Sequence, residues 1–389
     1  MAEFDYEMRE GLITVTRLDV LSELPDPFMM KDGTRADTEQ KWREHRKELY
    51  KTAVELQYGT LPPQPEFLEV ETTYISPKFC SYRIKTGRRE KPVTFYMKAF
   101  FPQNRQGTCP VVIDGDMCFG YCYNKEYLSE FVDKGIIFVT FDRTELAHDI
   151  SSESRGTGQL YDCYPEYGFG ALGAWAWGYS RCVDAVEKLG WGDMDLITFT
   201  GHSRGGKTAA LAGAVDERAA IVNPNATCAG ACGCYRIHMS AIKEDGKEAV
   251  SETLADILRV FPIWFGEGMN EYAHREQELP FDCHYLKALV APRVLFVSEA
   301  ASDIWSNPVG SWMTTMAAGE VYKFLGAEEN LFWYFRKGVH YHDIEDVRML
   351  VNIILHKKWG EPLSDRFFKK PFTTPELIYN WSAPQRKDV

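Results

Sequence analysis

Apolar residues follow a helical period in a few stretches of this chain and form short unbroken runs in others. The clearest helical period lies in residues 37–57, where Trp42, His45, Leu49, Ala53 and Leu56 recur at intervals of three and four, so they share one face. Asp37 is the expected N-cap, with Gln40 at the capping-box position, and Gly59 with Pro62-Pro63 ends the helix. VTFYMKAFF (93–101), PVVID (110–114) and GIIFVTFD (135–142) are rich in β-formers. The last two lack alternation, as strands buried on both faces of a parallel sheet do. A second helix is expected over 173–189, with Cys182, Val183, Val186 and Leu189 on one side and Gly190 at its exit. DLITFTGHSRGG then reads as a strand entering a glycine-rich turn, KTAALAGAV as a small-residue helix, and RVLFVS (293–298) and NLFWYFR (330–336) as further strands.

Strands alternating with helical stretches predict an α/β fold, a mostly parallel central sheet with helices on both faces. There is no internal repeat and no low-complexity linker. The simplest partition is an N-terminal arm and packing helix (1–90), a catalytic domain (91–360) and a C-terminal extension (361–389). Residues 237–280 are the largest insertion between strands and the expected lid or substrate wall.

The 389 residues are 45% hydrophobic and 26% charged, ordinary for a globular enzyme. A net charge of −12 counts against a nucleic-acid partner. No apolar run approaches the ~18 residues of a membrane helix, so no membrane partner is expected. The start, MAEFDYEMREGL, lacks a secretory pattern. The ten cysteines then read as reduced thiols and the expected location is cytoplasmic.

Gly201-His202-Ser203-Arg204-Gly205 fits G-x-S-x-G between a strand and a helix, the setting of a nucleophile elbow in an α/β-hydrolase. A serine hydroxyl needs a base to take its proton. His340 and His342 both follow the last strand, and Asp303, with Glu299 nearby, follows the strand before it. Ser203, Asp303, His342 is the α/β-hydrolase order of nucleophile, acid and histidine, while a generic G-x-H pattern points to His340. An oxyanion requires two donors: the backbone N–H of Arg204 and the loop around Gly115, Asp116 and Met117 are candidates, as is the Arg204 guanidinium. Cys228, Cys232 and Cys234 lack the partner ligands of a zinc site, so buried thiols and no metal are expected. The aromatic run Trp175, Trp177, Tyr179 is assigned to core or pocket wall.

GAWAWGYSRCVDAVEKLG, GHSRGGKTAALAGAVDERAAIVNP, LPFDCHYLKALVAPRVLFVSE and SDIW resemble the glucuronoyl esterases, carbohydrate esterase family 15, with a weaker echo in the helix and YG-x-x-P before residue 62. The resemblance implies a cofactor-free α/β-hydrolase that cleaves esters between a uronic acid and an alcohol such as lignin. It maps the nucleophile to Ser203, the oxyanion arginine to Arg204, a sugar-contacting lysine to Lys207 and a sugar-stacking tryptophan to Trp305. It favours His342 over His340, because the family's H-x-H carries the base second. The family's usual acid position reads Pro224-Asn225-Ala226 here, and Asp303 matches the carboxylate of some bacterial members. Where secreted fungal members carry a disulfide, this chain has His202 and Asp343, and a contact between these two is expected to replace it. Cys234 has Thr314 opposite its usual partner position and is expected to be free. The family's sugar-contacting glutamate falls at Phe261. The expected reaction is hydrolysis of a small-molecule or oligosaccharide ester through an acyl-serine. Acetyl esterase, dienelactone-hydrolase-like or peptidase-like chemistry, or a saccharide binder without turnover, are the alternatives.

Overall fold

The computed structural model describes residues 14–103, 105–150, 156–242, 245–368 and 377–388. Its strands, in chain order, are β1 (Thr14–Val20), β2 (Phe67–Ile75), β3 (Phe79–Gly87), β4 (Pro92–Phe100), β5 (Cys109–Asp114), β6 (Ile137–Phe141), β7 (Gly192–His202), β8 (Ala219–Asn225), β9 (Ile237–Ile242), β10 (Glu248–Val250), β11 (Val294–Ala300) and β12 (Leu331–Arg336). Nine form one sheet in the order β12-β11-β8-β7-β5-β6-β4-β3-β2, and β1-β9-β10 form a small second sheet. From β6 through β12 the pairing is parallel, whereas β2, β3 and β4 add antiparallel strands beyond β6.

Burial follows this division. Every residue of β5, β6, β11 and β12 is buried, while β3 and β4 alternate along most of their length. The expected boundary at residue 90 therefore falls inside the sheet, since β2 and β3 belong to it. FLEVETTYI is exposed along most of its length, so it lacks the apolar run that marks a buried strand.

The longer helices are α1 (Glu39–Tyr50), α2 (Lys125–Val132), α3 (Ala171–Leu189), α4 (Arg204–Val215), α5 (Leu254–Val260), α6 (Cys283–Val290), α7 (Pro308–Leu325) and α8 (Ile344–Trp359). On one face of the sheet Val112, Phe138, Ile221, Phe296 and Phe332 pack with Tyr127 and Phe131 of α2 and Leu350 and Ile354 of α8. Their neighbours Val111, Val139, Val222, Val297 and Trp333 point the other way, into the larger core with α3, α4, α6 and α7. Each buried aliphatic side chain in these layers contributes about 1.5–3 kcal/mol. This is the three-layer α/β sandwich expected.

In α1, Trp42, His45 and Leu49 are buried as the period requires, but Thr38, not Asp37, is the N-cap. Asp37 instead pairs with Lys41 and Lys387. A π-turn over Lys51–Glu55 shifts the register. Gln57 and Tyr58 thereby turn inward and both donate to the Gly230 carbonyl, at 2.8 and 2.5 Å.

The insertion at 237–280 begins as β9, and β1 of the N-terminal arm pairs along it from Val20↔Ile237 to Thr14↔Ile242. The arm is thus a strand that braces the insertion; its first 13 residues lie outside the described ones. The extension packs back on the arm, with Trp381 Nε1 donating to Leu24 O at 2.8 Å and Lys387 N to Asp37 O at 3.0 Å. Residues 369–376 of it lie outside the described residues. Among the described residues no helix is long and apolar enough to cross a membrane.

Candidate active site

Strand β7 ends at His202 and α4 begins at Arg204, leaving Ser203 alone at the turn with φ 57° and ψ −121°. That left-handed conformation is costly for a non-glycine residue and lifts the side chain clear of the sheet. The flanking positions have no room for a side chain. A Cβ on Gly201 would lie 2.4 Å from the Gly205 carbonyl, and one on Gly205 would lie 1.9 Å from the Asp116 carboxylate. No side chain caps α4, so its first-turn amides, Arg204 N–H among them, are orphan donors beside the hydroxyl.

His340 faces Ser203: its Nε2 is 2.9 Å from Ser203 Oγ and its Nδ1 is 2.7 Å from Asp303 Oδ2. Asp303 is 3% exposed, so its field on the imidazole is little screened. Ser306 completes the arrangement, donating its hydroxyl to Asp303 Oδ2 and lying 3.3 Å from His340 Nδ1. The expectation that His342 is the base is therefore corrected. His342 is 2% exposed and boxed edge-on by Tyr121 and Tyr127, with Nδ1 3.4 Å from the Tyr127 hydroxyl. Burial, with Arg336 nearby, pushes its pKa down to about 3, so it stays neutral. Arg336 selects between the two histidines. Its guanidinium binds Asp346 at 2.8 Å and holds the carbonyls of Lys337, Val339 and Tyr341, which fixes the loop that presents His340.

Glu299, at the end of β11, is fully buried, and burial followed by the Asp303 charge pushes its carboxyl up to about 8. It is a protonated group at neutral pH, unlike a triad acid.

The loop after β5 does not supply the second oxyanion donor through Gly115 or Asp116. Gly115 N–H donates to the Tyr179 hydroxyl at 2.8 Å, and Asp116 N–H to Asp114 Oδ1 at 2.5 Å. The Asp116 carboxylate instead accepts His202 N–H at 2.8 Å beneath the elbow and pairs with buried Arg143. The remaining candidate, the Arg204 guanidinium, lines both cavities together with Ser203. Asp149 holds it at 3.0 Å, and it stacks 4.7 Å over Phe261 and 4.8 Å over Trp264.

Two cavities meet at Ser203, Arg204 and His340. One, about 340 Å³, is lined by Lys207, Glu252, Asp256, Trp264 and Trp305, three of them from residues 237–280. Trp305 is 43% exposed at its rim. Lys207 departs from the expectation of direct sugar contact. It is 2% exposed, and its three protons go to the Thr227 carbonyl, the Ala229 carbonyl and, at 2.8 Å, Glu252 Oε2. Burial opposes its charge, but the Glu252 carboxylate, with smaller contributions from Cys228 and Cys283, offsets this and raises its pKa. Glu252 carries no signal in the sequence that marks it as functional. It precedes the Thr253 capping box of α5, and its own N–H donates to Trp305 O at 3.0 Å. The second cavity, about 450 Å³, is lined by Phe119, Tyr121, Asn124, His202 and Tyr341.

The expected His202–Asp343 contact is absent. His202 Nδ1 bonds Asn225 Oδ1 at 2.6 Å, and Asp343 caps α8. Cys228, Cys232 and Cys234 are buried free thiols. Among the described residues no group of side chains could hold a metal ion. Trp175, Trp177 and Tyr179 are core residues.

The family model described as glucuronyl esterase, fungi, matches residues 84–326. A 4-O-methyl-glucuronoyl methylesterase of Podospora anserina is 32% identical over 328 residues, 83% of this chain, which spans 64% of that relative's length. Among solved structures, a carbohydrate esterase family 15 glucuronoyl esterase from Caldicellulosiruptor kristjansonii matches with a TM-score of 0.81 at 28% identity, covering 94% of this chain and 98% of that one. A serine-to-alanine mutant of the Sporotrichum thermophile glucuronoyl esterase, in complex with methyl 4-O-methyl-β-D-glucopyranuronate, matches with a TM-score of 0.73 at 26% identity, covering 89% and 90%.

Proposed function

This chain belongs to the glucuronoyl esterase family, and from that premise we propose that it hydrolyses esters of a uronic acid through an acyl-serine intermediate. The observation that carries the reading is the unbroken relay Ser203–His340–Asp303 opening onto the cavity of Glu252 and Lys207. Ser203 Oγ attacks the ester carbonyl while His340 Nε2 takes its proton. Asp303 and Ser306 hold the imidazole in the tautomer with Nε2 free, and Asp303 stabilises the imidazolium. Arg204, through its N–H and guanidinium, meets the oxyanion. His340 then protonates the departing alcohol and activates water for deacylation.

The acyl sugar occupies the smaller cavity, against Trp305. Glu252 Oε1 has no protein partner among the described residues and accepts a sugar hydroxyl, while Lys207 favours the Glu252 carboxylate against burial, which raises its pKa, rather than touching the sugar itself. The alcohol leaves on the side of Phe119, Tyr121 and Tyr341. Ten free thiols support a reducing, cytoplasmic setting.

Hydrolysis of benzyl glucuronate and of p-nitrophenyl acetate, each with wild type and Ser203→Ala, tests the reading. Serine-dependent turnover that prefers the uronate ester is expected. Turnover of the acetate alone would move the substrate to the acetyl-ester class, and failure of a fluorophosphonate to label Ser203 would favour a saccharide binder.

A further inference from the structure

His202 precedes the nucleophile and is not part of the relay, yet it is placed as closely as the relay is. Its ring is packed 4.6 Å from His340 and lies 5.7 Å from His342 at 15° to it. Its tautomer is fixed from outside. Asn225 directs its amide NH2 at Ser298, 2.8 Å from the hydroxyl and 3.5 Å from the carbonyl, a group that only accepts. Asn225 Oδ1 therefore faces His202 and takes the Nδ1 proton across 2.6 Å. Nε2 is left as a bare acceptor with no partner among the described residues, and His202 lines the alcohol-side cavity together with Ser203, His340 and Tyr341. Burial, then the neighbouring His342 and His340, hold its pKa well below the usual histidine value, so the acceptor is not lost to protonation near neutrality.

We propose that His202 positions the deacylating water, accepting through Nε2 the hydrogen of that water which is not transferred. The proposal rests on the acyl-serine reading above. Once the alcohol has left, water enters the vacated cavity and donates one hydrogen to His340 Nε2 and the other to His202 Nε2. Both O–H directions are thereby fixed and an oxygen lone pair is free to meet the acyl carbon. The new C–O bond forms as His340 takes the first proton. The bond from carbon to Ser203 Oγ then breaks, and His340 returns that proton to Oγ. The second hydrogen stays on the oxygen that becomes the acid's hydroxyl. His202 gains and loses nothing; it orients.

Water has two hydrogens to place and methanol has one, so the acceptor matters to hydrolysis and not to methanolysis. Benzyl glucuronate is turned over in buffer containing methanol, and the initial ratio of methyl glucuronate to glucuronic acid is read. His202→Phe keeps an aromatic ring against His340 and removes the acceptor; the ratio should rise about tenfold, the factor one ordinary hydrogen bond supplies. His202→Gln, which restores an acceptor oxygen, should return it towards wild type. An unchanged ratio in His202→Phe, or the same rise in both variants, overturns the proposal. For the wild type, nitrogen-15 NMR should find His202 protonated on Nδ1 and bare on Nε2 from pH 6 to 8, and a proton on Nε2 overturns it whatever the variants do. Absence of any Ser203-dependent turnover of the benzyl ester would be the different failure, that of the acyl-serine reading.

Discussion

Replacing Glu299 with Gln separates the two carboxyl groups at the end of β11 and makes the protein less sensitive to alkali. The folded Glu299 carboxyl holds its proton up to about 8, whereas the unfolded chain releases it at ~4.3. Its contribution to stability is therefore complete in acid and is lost as pH rises through that interval, at about 1.4 kcal/mol per pH unit. Glutamine has the same shape and no proton to lose. Between pH 5 and pH 8 the variant should gain about 3.5 kcal/mol on the wild type, the slope levelling off as pH 8 is reached. With an unfolding entropy of about 2.1 cal/mol/K per residue over this chain, that is about 4 °C in Tm. Melting curves at pH 5 and pH 8 with both proteins measure it, and benzyl glucuronate turnover should remain close to wild type because Asp303, not Glu299, meets His340. A gap between the two proteins that does not widen from pH 5 to pH 8 would refute the protonated assignment. A loss of kcat by a thousandfold or so would instead make Glu299 the triad acid.

Other substitutions probe the site from different sides. Asp303→Asn should lower kcat by about 10⁴, the loss known for removal of a triad acid, with KM for the benzyl ester little changed. His340→Gln should abolish turnover, whereas His342→Gln should keep kcat within about tenfold and lower stability by about 1 kcal/mol, as the Tyr127 hydroxyl loses its contact with His342 and keeps the one to Asp114; equal loss of activity in the two would reinstate His342. Ser306→Ala removes one hydrogen bond to Asp303 and should reduce kcat about tenfold without raising KM. Glu252→Gln should raise KM for the uronate ester about tenfold and leave p-nitrophenyl acetate hydrolysis untouched, since acetate has no sugar hydroxyl to present.

The sequence discloses what is local or periodic. Strands β5, β6 and β11 are largely apolar without alternation because both their faces are covered, and Gly201 and Gly205 flank Ser203 because neither position has space for a Cβ. What it does not disclose depends on the path of the chain. His340 and His342 differ by two positions in one loop, and Arg336, by holding three carbonyls there, decides which imidazole meets Ser203. The family pattern points to the second histidine and the generic G-x-H pattern to the first, and spacing alone has no means of choosing. Glu252 reaches the cavity from the wall insertion, about fifty residues ahead of Asp303, with only a capping box beside it to mark the place. The amides of Gly115 and Asp116 lie in the right loop to serve as donors, but Tyr179 and Asp114 already occupy them.

The pairing of β1 with β9 means that the arm and the wall are a single structural piece. β9 has β1 on one side and β10 on the other, so the foundation of the wall comes from residues more than two hundred positions away. Transplanting residues 237–280 alone into a related scaffold would leave β9 with a bare edge, which other chains can extend into aggregates. Exchanging substrate walls between relatives therefore calls for moving two segments together, and recombination breakpoints that separate the arm from the insertion should be recovered mostly as insoluble protein.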